Sequence, residues 1–141
     1  MIERTEANRS AERPLITVVM AVYREPAQMA RCALRSVLDQ TWSPFEIIIV
    51  NDSGLPRAEI SDLAELDRRI RVIDHPENRG GAAAYNTGID AARGELIAFI
   101  DADDVWYPNK LETQLDVDGD RTGCFFASNC MLVWKGGAAA V

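Results

Sequence analysis

Three stretches of nearly uninterrupted apolar residues constrain the fold of this chain more than any other feature. They are Leu15–Val22, Phe45–Val50 and Leu96–Ile100, and the first two are rich in β-branched residues. Continuous apolarity of this length is typical of strands that are covered on both faces in a parallel sheet. Because segments with helical spacing separate the stretches, the sequence predicts an α/β protein with a mainly parallel sheet and right-handed crossovers.

The rest of the chain continues this alternation within the size of one domain. The 141 residues, 48% of them hydrophobic, can bury one substantial core. Predicted helices run from Pro26 up to the turn at Thr41–Pro44, over 57–69, from Gly81 to Gly94 and from Pro108 to about Leu115, and further strands are predicted over Ile70–Ile73 and 123–134. We expect a flexible leader over 1–14, one domain over 15–134 and a tail over 135–141.

Composition and charge argue against several classes of protein. The 22 acidic and 15 basic residues give a formal net charge of −7 without a basic stripe, so we expect no nucleic acid binding. Cys32, Cys124 and Cys130 are odd in number and lack metal-type spacing, which favours reduced thiols. The longest apolar run is far shorter than the roughly 20 residues that cross a bilayer, and the leader does not resemble a signal peptide. We therefore expect a cytoplasmic location, including the cytoplasmic face of the membrane.

Polar residues gather where the predicted strands end. Tyr23 and Arg24 follow the first strand, Asn51 and Asp52 follow the second, and Asp101, Asp103 and Asp104 follow the stretch that ends at Ile100. Ligands of open parallel sheets bind at the carboxyl ends of the strands. The sequence therefore predicts a functional site along this edge of the sheet.

The three aspartates allow two interpretations. In an extended chain Asp101 and Asp103 point the same way while Asp104 turns aside, so the first two could share one Mg²⁺ or Mn²⁺ ion. Alternatively, the aspartates form a solvated turn that caps a helix starting near Pro108. These residues alone leave both interpretations open.

Two other acidic motifs resemble the same stretch. An EF-hand loop beginning at Asp101 is excluded because Val105 and Trp106 stand where an oxygen ligand and a glycine belong. The run from Asp101 to Val105 also resembles the nucleophile motif of haloacid-dehalogenase-like phosphatases. Such an enzyme needs a later lysine and further acids, and only 36 residues follow Val105, so it stays the lesser alternative.

Single residues near the predicted edge have structural as well as functional explanations. Asp52 could close an Asx-turn, and Tyr23 could be a packed aromatic with its hydroxyl at the surface. His75 stands before a proline with no partner in view, so we assign it no catalytic role. The Asn78–Gly81 segment could present backbone N–H groups to a phosphate, or could simply mark the start of a helix.

Taken in order, five segments resemble the amino-terminal half of a family 2 glycosyltransferase. The segments are AVYR at 21–24, SVLDQTW at 36–42, FEIIIVND at 45–52, NRGGAAAYNTGI at 78–89 and ARGELIAFIDADDVWYPNKLE at 92–112. None is decisive alone, but five in register across residues 15–115 are highly specific. The resemblance implies the GT-A fold, a Rossmann-like mainly parallel sheet with helices on both faces, incomplete at its carboxyl end.

The resemblance also implies a donor site and its metal ligands. The donor would be a nucleoside diphosphate sugar, with a UDP-sugar as first choice, and the metal Mn²⁺ or Mg²⁺. Tyr23 would border the base and Asp52 would hydrogen-bond it, while Asp103 would bind the metal and Asp101 would lie nearer the ribose and a metal-bound water. The implied donor-binding residues are Ala21, Tyr23, Arg24, Asp52, Asn78, Gly80, Asn86, Asp101 and Ala102, with Asp103 and Asp101 as metal residues.

The implied reaction is inverting transfer of a sugar to an acceptor hydroxyl of a glycan, a lipid or a protein, as in polysaccharide biosynthesis. The family's general base lies beyond the metal motif, so we expect it after Val141 and expect no catalytic residue within this chain. Arg24 departs from the family's Asn and could approach a phosphate or pair with Glu25. A noncatalytic nucleotide-binding module is the alternative from another class.

Overall fold

A computed structural model describes residues 13–117, 125–127 and 130–134. Its strands are β1 (Ile16–Val22), β2 (Phe45–Asn51), β3 (Ile70–Asp74), β4 (Leu96–Asp101), β5 (Phe125–Ala127) and β6 (Cys130–Trp134). Its helices are α1 (Ala27–Leu38), α2 (Ala58–Ser61) with a 3₁₀ helix at Asp62–Leu66, α3 (Gly81–Ala91) and α4 (Lys110–Val117). Most of the predicted leader and the whole predicted tail lie outside the described residues.

The strands form one sheet in the order β3-β2-β1-β4-β6-β5. Strands β3, β2, β1 and β4 are parallel neighbours, and β6 pairs antiparallel with both β4 and β5. The prediction of an α/β protein with a mainly parallel sheet is therefore confirmed. The strand-like segment predicted over 123–134 contains two short strands rather than one.

Helices cover both faces of the sheet, which explains the uninterrupted apolar stretches. Val18 and Met20 of β1 belong to a cluster that includes side chains from α1, α2 and α4. Val19 lies in a second cluster with Ala84 of α3. Because successive strand residues point to opposite faces, a strand that is covered on both faces has no position for a solvent-exposed side chain.

The helix predicted over 57–69 is much shorter in the structure. It consists of α2 and the 3₁₀ helix, and the chain becomes extended at Asp67 (φ −158°, ψ 140°). The Asp67 carboxylate there accepts the backbone N–H of Arg69 at 2.9 Å and its guanidinium at 2.9 Å. Such local side-chain bonds to the backbone compete with helix formation.

Within the described ranges, no helix has the length and apolarity to span a membrane.

A buried polar cluster lies at the amino ends of the strands, opposite the predicted site. Glu46 of β2 accepts hydrogen bonds from the Thr17 hydroxyl (2.7 Å) and from the Arg93 N–H (2.7 Å). Arg71 of β3 lies 3.3 Å from the same carboxylate. Burial alone would raise the pKa of Glu46, but these donors outweigh burial and lower it. Glu46 therefore stays ionised inside an otherwise apolar strand.

Candidate functional site

A pocket of about 500 Å³ opens at the carboxyl ends of β1, β2 and β4. All the predicted donor and metal residues line it except Arg24 and Asn86, which are not among its described lining residues. A second hollow of about 810 Å³ lies between Ser43–Phe45 and Glu65–Arg69, away from that edge. Its charged wall includes Asp67 and Arg69, whose charges pair with each other and are not available to a ligand. The first pocket is therefore the candidate site.

Asp52 sits at one end of this pocket and is 2% exposed. Its Oδ1 accepts from His75 Nδ1 at 2.7 Å and from the Arg79 N–H at 2.9 Å, and its Oδ2 accepts from Asn78 Nδ2 at 3.2 Å. Burial would raise the pKa of Asp52, but the bonds from Arg79, His75 and the Gly80 N–H keep it below its usual value. The carboxylate is therefore ionised in a nearly closed cage of donors.

The structure bears on two alternatives given for this region. The Asx-type bond considered for Asp52 is made by Asn51, whose Oδ1 accepts the Ser53 N–H at 3.3 Å. Within the Asn78–Gly81 segment, considered as a source of donors to a phosphate, the Arg79 N–H already donates to Asp52. The Asn78–Gly81 segment thus binds an anion, but that anion is a side chain of the same protein.

His75 has two partners that were not in view from the sequence. The ring is 4% exposed, with Nδ1 at 2.7 Å from Asp52 Oδ1 and Nε2 at 2.8 Å from Thr87 Oγ1. Neither partner is close in sequence, so spacing could not reveal them. The contact arises because β3 pairs in parallel with β2, which brings the residue after Asp74 beside the residue after Asn51.

Asp101 and Asp103 lie at the other end of the pocket. The prediction of an extended chain through them is wrong, because β4 ends at Asp101 and the Asp104 N–H donates to Asp101 O (3.0 Å) in a turn. The alternative of a solvated turn is right about the turn, since all three aspartates are exposed, and wrong about helix capping, since α4 begins only at Lys110. Burial, followed by the charges of Asp101 and Asp103, raises the pKa of Asp104. The turn therefore concentrates negative charge beside the pocket.

Tyr85 of α3 is a pocket residue that sequence reasoning missed. Its hydroxyl donates to Asp101 Oδ1, and its ring packs edge-on against Phe99 with centroids 5.1 Å apart. The residue follows Gly81, another pocket residue, by four positions, and such residues share a helix face. Helical spacing counted from the Gly-Gly pair could therefore have found it.

The loop after β1 closes the side of the pocket near the predicted base site. Tyr23 is 37% exposed, and the Arg24 guanidinium carbon lies 4.9 Å from its ring centroid. Arg24 therefore stacks on Tyr23 rather than pairing with Glu25, whose carboxylate accepts the Tyr23 N–H at 2.6 Å. Arg57 donates to the carbonyl oxygen of Glu25 at 3.1 Å and so ties the loop to the start of α2.

The residues at the aspartate end fit a hard divalent cation. Carboxylate oxygens are the ligands that Mg²⁺ and Mn²⁺ prefer. The described part of the chain contains no group of three or more His, Cys, Asp or Glu side chains that could hold an ion by themselves. Asp101 and Asp103 both line the pocket, and a site with one or two carboxylates is commonly completed by phosphate oxygens of a substrate.

Comparison with known proteins gives one consistent family. A family model described as Glycosyl transferase family 2 matches residues 17–128. Glycosyltransferase GlyG of Streptococcus pneumoniae is 41% identical over 102 residues, which are 70% of this chain and 33% of GlyG. The Escherichia coli protein WfgD, named as UDP-Glc:alpha-D-GlcNAc-diphosphoundecaprenol beta-1,3-glucosyltransferase, is 32% identical over 103 residues, which are 73% of this chain and 40% of WfgD.

A solved structure has a similar fold. Mannosyltransferase PcManGT from Pyrobaculum calidifontis, in complex with GDP-Man and Mn²⁺, aligns with a TM-score of 0.69 and 27% identity. The alignment covers 79% of this chain and 34% of PcManGT. This chain thus spans between 33% and 40% of the length of these three proteins.

Proposed function

Since the chain belongs to glycosyl transferase family 2 and its described part has the GT-A fold, we propose that it supplies the donor and metal site of an inverting glycosyltransferase. The substrate would be a nucleoside diphosphate sugar and the acceptor a hydroxyl group. UDP is our first choice of nucleotide, and GDP is the second because the neighbour PcManGT holds GDP-Man.

The observation that carries this proposal is the division of one pocket into two chemically different ends. Tyr23 and Asp52 offer a ring and a hydrogen-bond acceptor at the ends of β1 and β2. Asp101 and Asp103 offer hard oxygen ligands at the end of β4. A nucleoside diphosphate has the matching polarity, because its base can donate an N–H at one end while its phosphates need a cation at the other.

Each end would contribute differently to the reaction. A bound Mn²⁺ or Mg²⁺ would supply the positive charge that offsets the negative charge growing on the leaving diphosphate. Asp101 and Asp103 would hold that ion, and Tyr85 would keep Asp101 oriented. Tyr23 and Asp52 would bind the base and thereby place the sugar at a fixed distance from the metal. The donor site would therefore contribute to the reaction by positioning the sugar and by stabilising the charge on the leaving diphosphate.

Calorimetry with Asp103→Asn tests the proposal. In the unaltered chain, UDP or GDP should bind with Mn²⁺ and much more weakly with EDTA. Asp103→Asn keeps the size but removes the charged ligand, so metal-dependent binding should fall by at least about tenfold. The matched control is Asp39→Asn, an exposed aspartate just after α1, which should bind as the unaltered chain does.

Equal affinity in Mn²⁺ and in EDTA would contradict the proposal, as would unchanged binding by Asp103→Asn. The phosphatase alternative loses its basis, because the family match covers the whole run from Asp101 to Val105. Release of phosphate from an aryl phosphate would revive it. A noncatalytic module would bind the nucleotide equally well, and a reading frame after Val141 that encodes no Asp or Glu able to act as the base would favour it.

A further inference from the structure

His75 is the chain's single histidine, and the proposed function gives it no role. Its backbone N–H donates to Asn51 O at 2.9 Å, so the residue continues the ladder between β2 and β3. Its ring lies between Asp52, just after β2, and Thr87 of α3. One side chain therefore links the ends of two strands to a helix that packs on the sheet.

The partners of the two ring nitrogens indicate which nitrogen of His75 carries a proton. The Asp52 carboxylate is ionised and can only accept, so His75 Nδ1 carries a proton and donates to it over 2.7 Å. Nε2 lies 2.8 Å from the Thr87 hydroxyl, which can donate or accept. Because both nitrogens are engaged, the ring cannot rotate without losing a hydrogen bond in a buried place.

An acid, an imidazole and a hydroxyl in sequence have the composition of a nucleophilic triad, but their placement rules out that use. His75 and Thr87 are absent from the described residues that line the pocket, and Asp52 is present. The hydroxyl therefore has no access to a ligand in this pocket. Any influence of His75 on a ligand has to pass through Asp52.

The orientation of Asp52 decides which of its oxygens a ligand meets. Oδ1 is occupied by His75 and by the Arg79 N–H at 2.9 Å. Oδ2 accepts over the longer distance, 3.2 Å from Asn78 Nδ2, and a carboxylate oxygen has the capacity for a second donor. A carboxylate oxygen only accepts, so it favours bases with a ring N–H, such as uracil and guanine.

We propose that His75 is a positioning residue, which turns the Asp52 carboxylate so that Oδ2 accepts a ring N–H of the donor's base. The proposal rests on the proposed function and adds to it the origin of base recognition. Thr87 acts one step further away, because it fixes the ring that fixes Asp52.

The same helix positions both ends of the pocket. Thr87 connects α3 to Asp52 through His75, and Tyr85 connects α3 to Asp101. Gly88 holds the helix close to the sheet, since a Cβ there would stand 2.2 Å from Val19 Cγ1. One helix is therefore hydrogen-bonded to side chains at both ends of the pocket.

Two substitutions of His75 separate its two hydrogen bonds. His75→Asn places an amide near the position of Nδ1 and can keep the bond to Asp52, whereas His75→Gln places it near Nε2 and loses that bond. Binding of UDP or GDP, whichever binds the unaltered chain more tightly, is measured with Mn²⁺ present. Ribose 5-diphosphate is the base-free probe.

We expect His75→Gln to weaken nucleotide binding by about tenfold and His75→Asn by at most about threefold. Ribose 5-diphosphate should bind both variants within about twofold of the unaltered chain. Thr87→Val, which removes the hydroxyl at nearly constant volume, should have an intermediate effect on nucleotide binding only. Urea unfolding of each variant verifies that the chain is folded.

Unchanged nucleotide binding by His75→Gln would overturn the inference and leave the proposed function standing. Equal weakening with both probes would also overturn it, because a general structural defect does not depend on the base. If the unaltered chain bound no nucleoside diphosphate, both the inference and the proposed function would fail. The single histidine allows an independent check in a chain without a histidine tag: its ¹⁵N spectrum should show a protonated Nδ1, and an unprotonated Nδ1 would overturn the inference.

Discussion

Tyr85 combines a packing role and a polar role in one side chain. Its ring contacts Phe99 edge-on, while its hydroxyl donates to Asp101 at the metal end of the pocket. Burial, followed by the bond to Asp101, raises the pKa of the phenol above its usual value, so the hydroxyl keeps its proton at neutral pH. The two roles can therefore be separated by removing a single oxygen atom.

Tyr85→Phe should weaken Mn²⁺-dependent nucleotide binding by about fivefold, because Asp101 loses the bond that orients it. The free energy of unfolding should change by about 1 kcal/mol or less, since the ring still packs. Calorimetry and urea unfolding measure the two effects. Tyr107→Phe is the matched control, because Tyr107 is 82% exposed. Equal binding by both variants would show that the hydroxyl does not matter.

At the scale of single residues, the sequence predicts positions better than partners. Asp52 and Asp101 were candidates because each ends an apolar stretch, and both line the pocket. The contact of Asp52 with His75 depends on the pairing of Asn51 with Asp74 across two strands, which no local pattern contains. Arg24 stacks on its neighbour Tyr23 instead of pairing with Glu25, and this contact depends on the path of the loop.

At the scale of elements, α3 packs close to the sheet because Gly88 has no side chain. Gly88 is fully helical, so its value here is its size and not its backbone freedom. The space that a Cβ would need is filled by Val19 of β1. Close approach of α3 to β1 lets Tyr85 and Thr87 reach the ends of the strands on either side.

Gly88→Ala should lower the free energy of unfolding by about 2 kcal/mol, because the added methyl overlaps Val19. Replacing Val19 by Ala in the same chain should recover part of that loss, although Val19→Ala alone destabilises. Urea unfolding of the two single variants and the double variant measures the coupling. Gly81→Ala is the control, since a Cβ at Gly81 meets nothing within 4 Å. Strictly additive effects at 19 and 88 would contradict the steric explanation.

The elements themselves were predictable wherever apolar spacing is strong. The apolar stretches became β1, β2 and β4, and the spacing after Pro26 became α1. The segment 57–69 was misassigned because its apolar spacing continues past the point where Asp67 binds the backbone and guanidinium of Arg69. Side-chain competition of this kind ends a helix without changing the apolar pattern.

At the scale of the whole molecule, ionised carboxylates at both ends of the sheet contribute to stability. The pKa values of Glu46, Asp52 and Asp67 all lie below their usual range, and that of Asp67 is about 2 because of its bonds with Arg69. Lowered pKa values in the folded state mean that the unfolded chain binds more protons, so stability falls as the pH falls. Asp104, whose pKa is raised, acts in the opposite direction.

The free energy of unfolding should be nearly constant from pH 7 to about pH 5 and should fall below about pH 4.5 as the unfolded carboxyls become protonated. Asp67→Asn should remove about 1 kcal/mol at pH 7 and make the fall between about pH 4 and pH 2 shallower. Urea unfolding at a series of pH values measures both effects. A rise in stability on acidification to pH 4 would mean that Asp104 outweighs the three lowered carboxyls.

The contact between Gly88 and Val19 also has an evolutionary consequence. Val19 fills the space that a Cβ at position 88 would need, so a larger residue at position 88 requires a smaller one at position 19. In descendants of this sequence, a larger residue at position 88 should appear only together with a smaller one at position 19. Correlated substitution at positions 19 and 88 would show that the distance between α3 and β1 has been maintained during evolution.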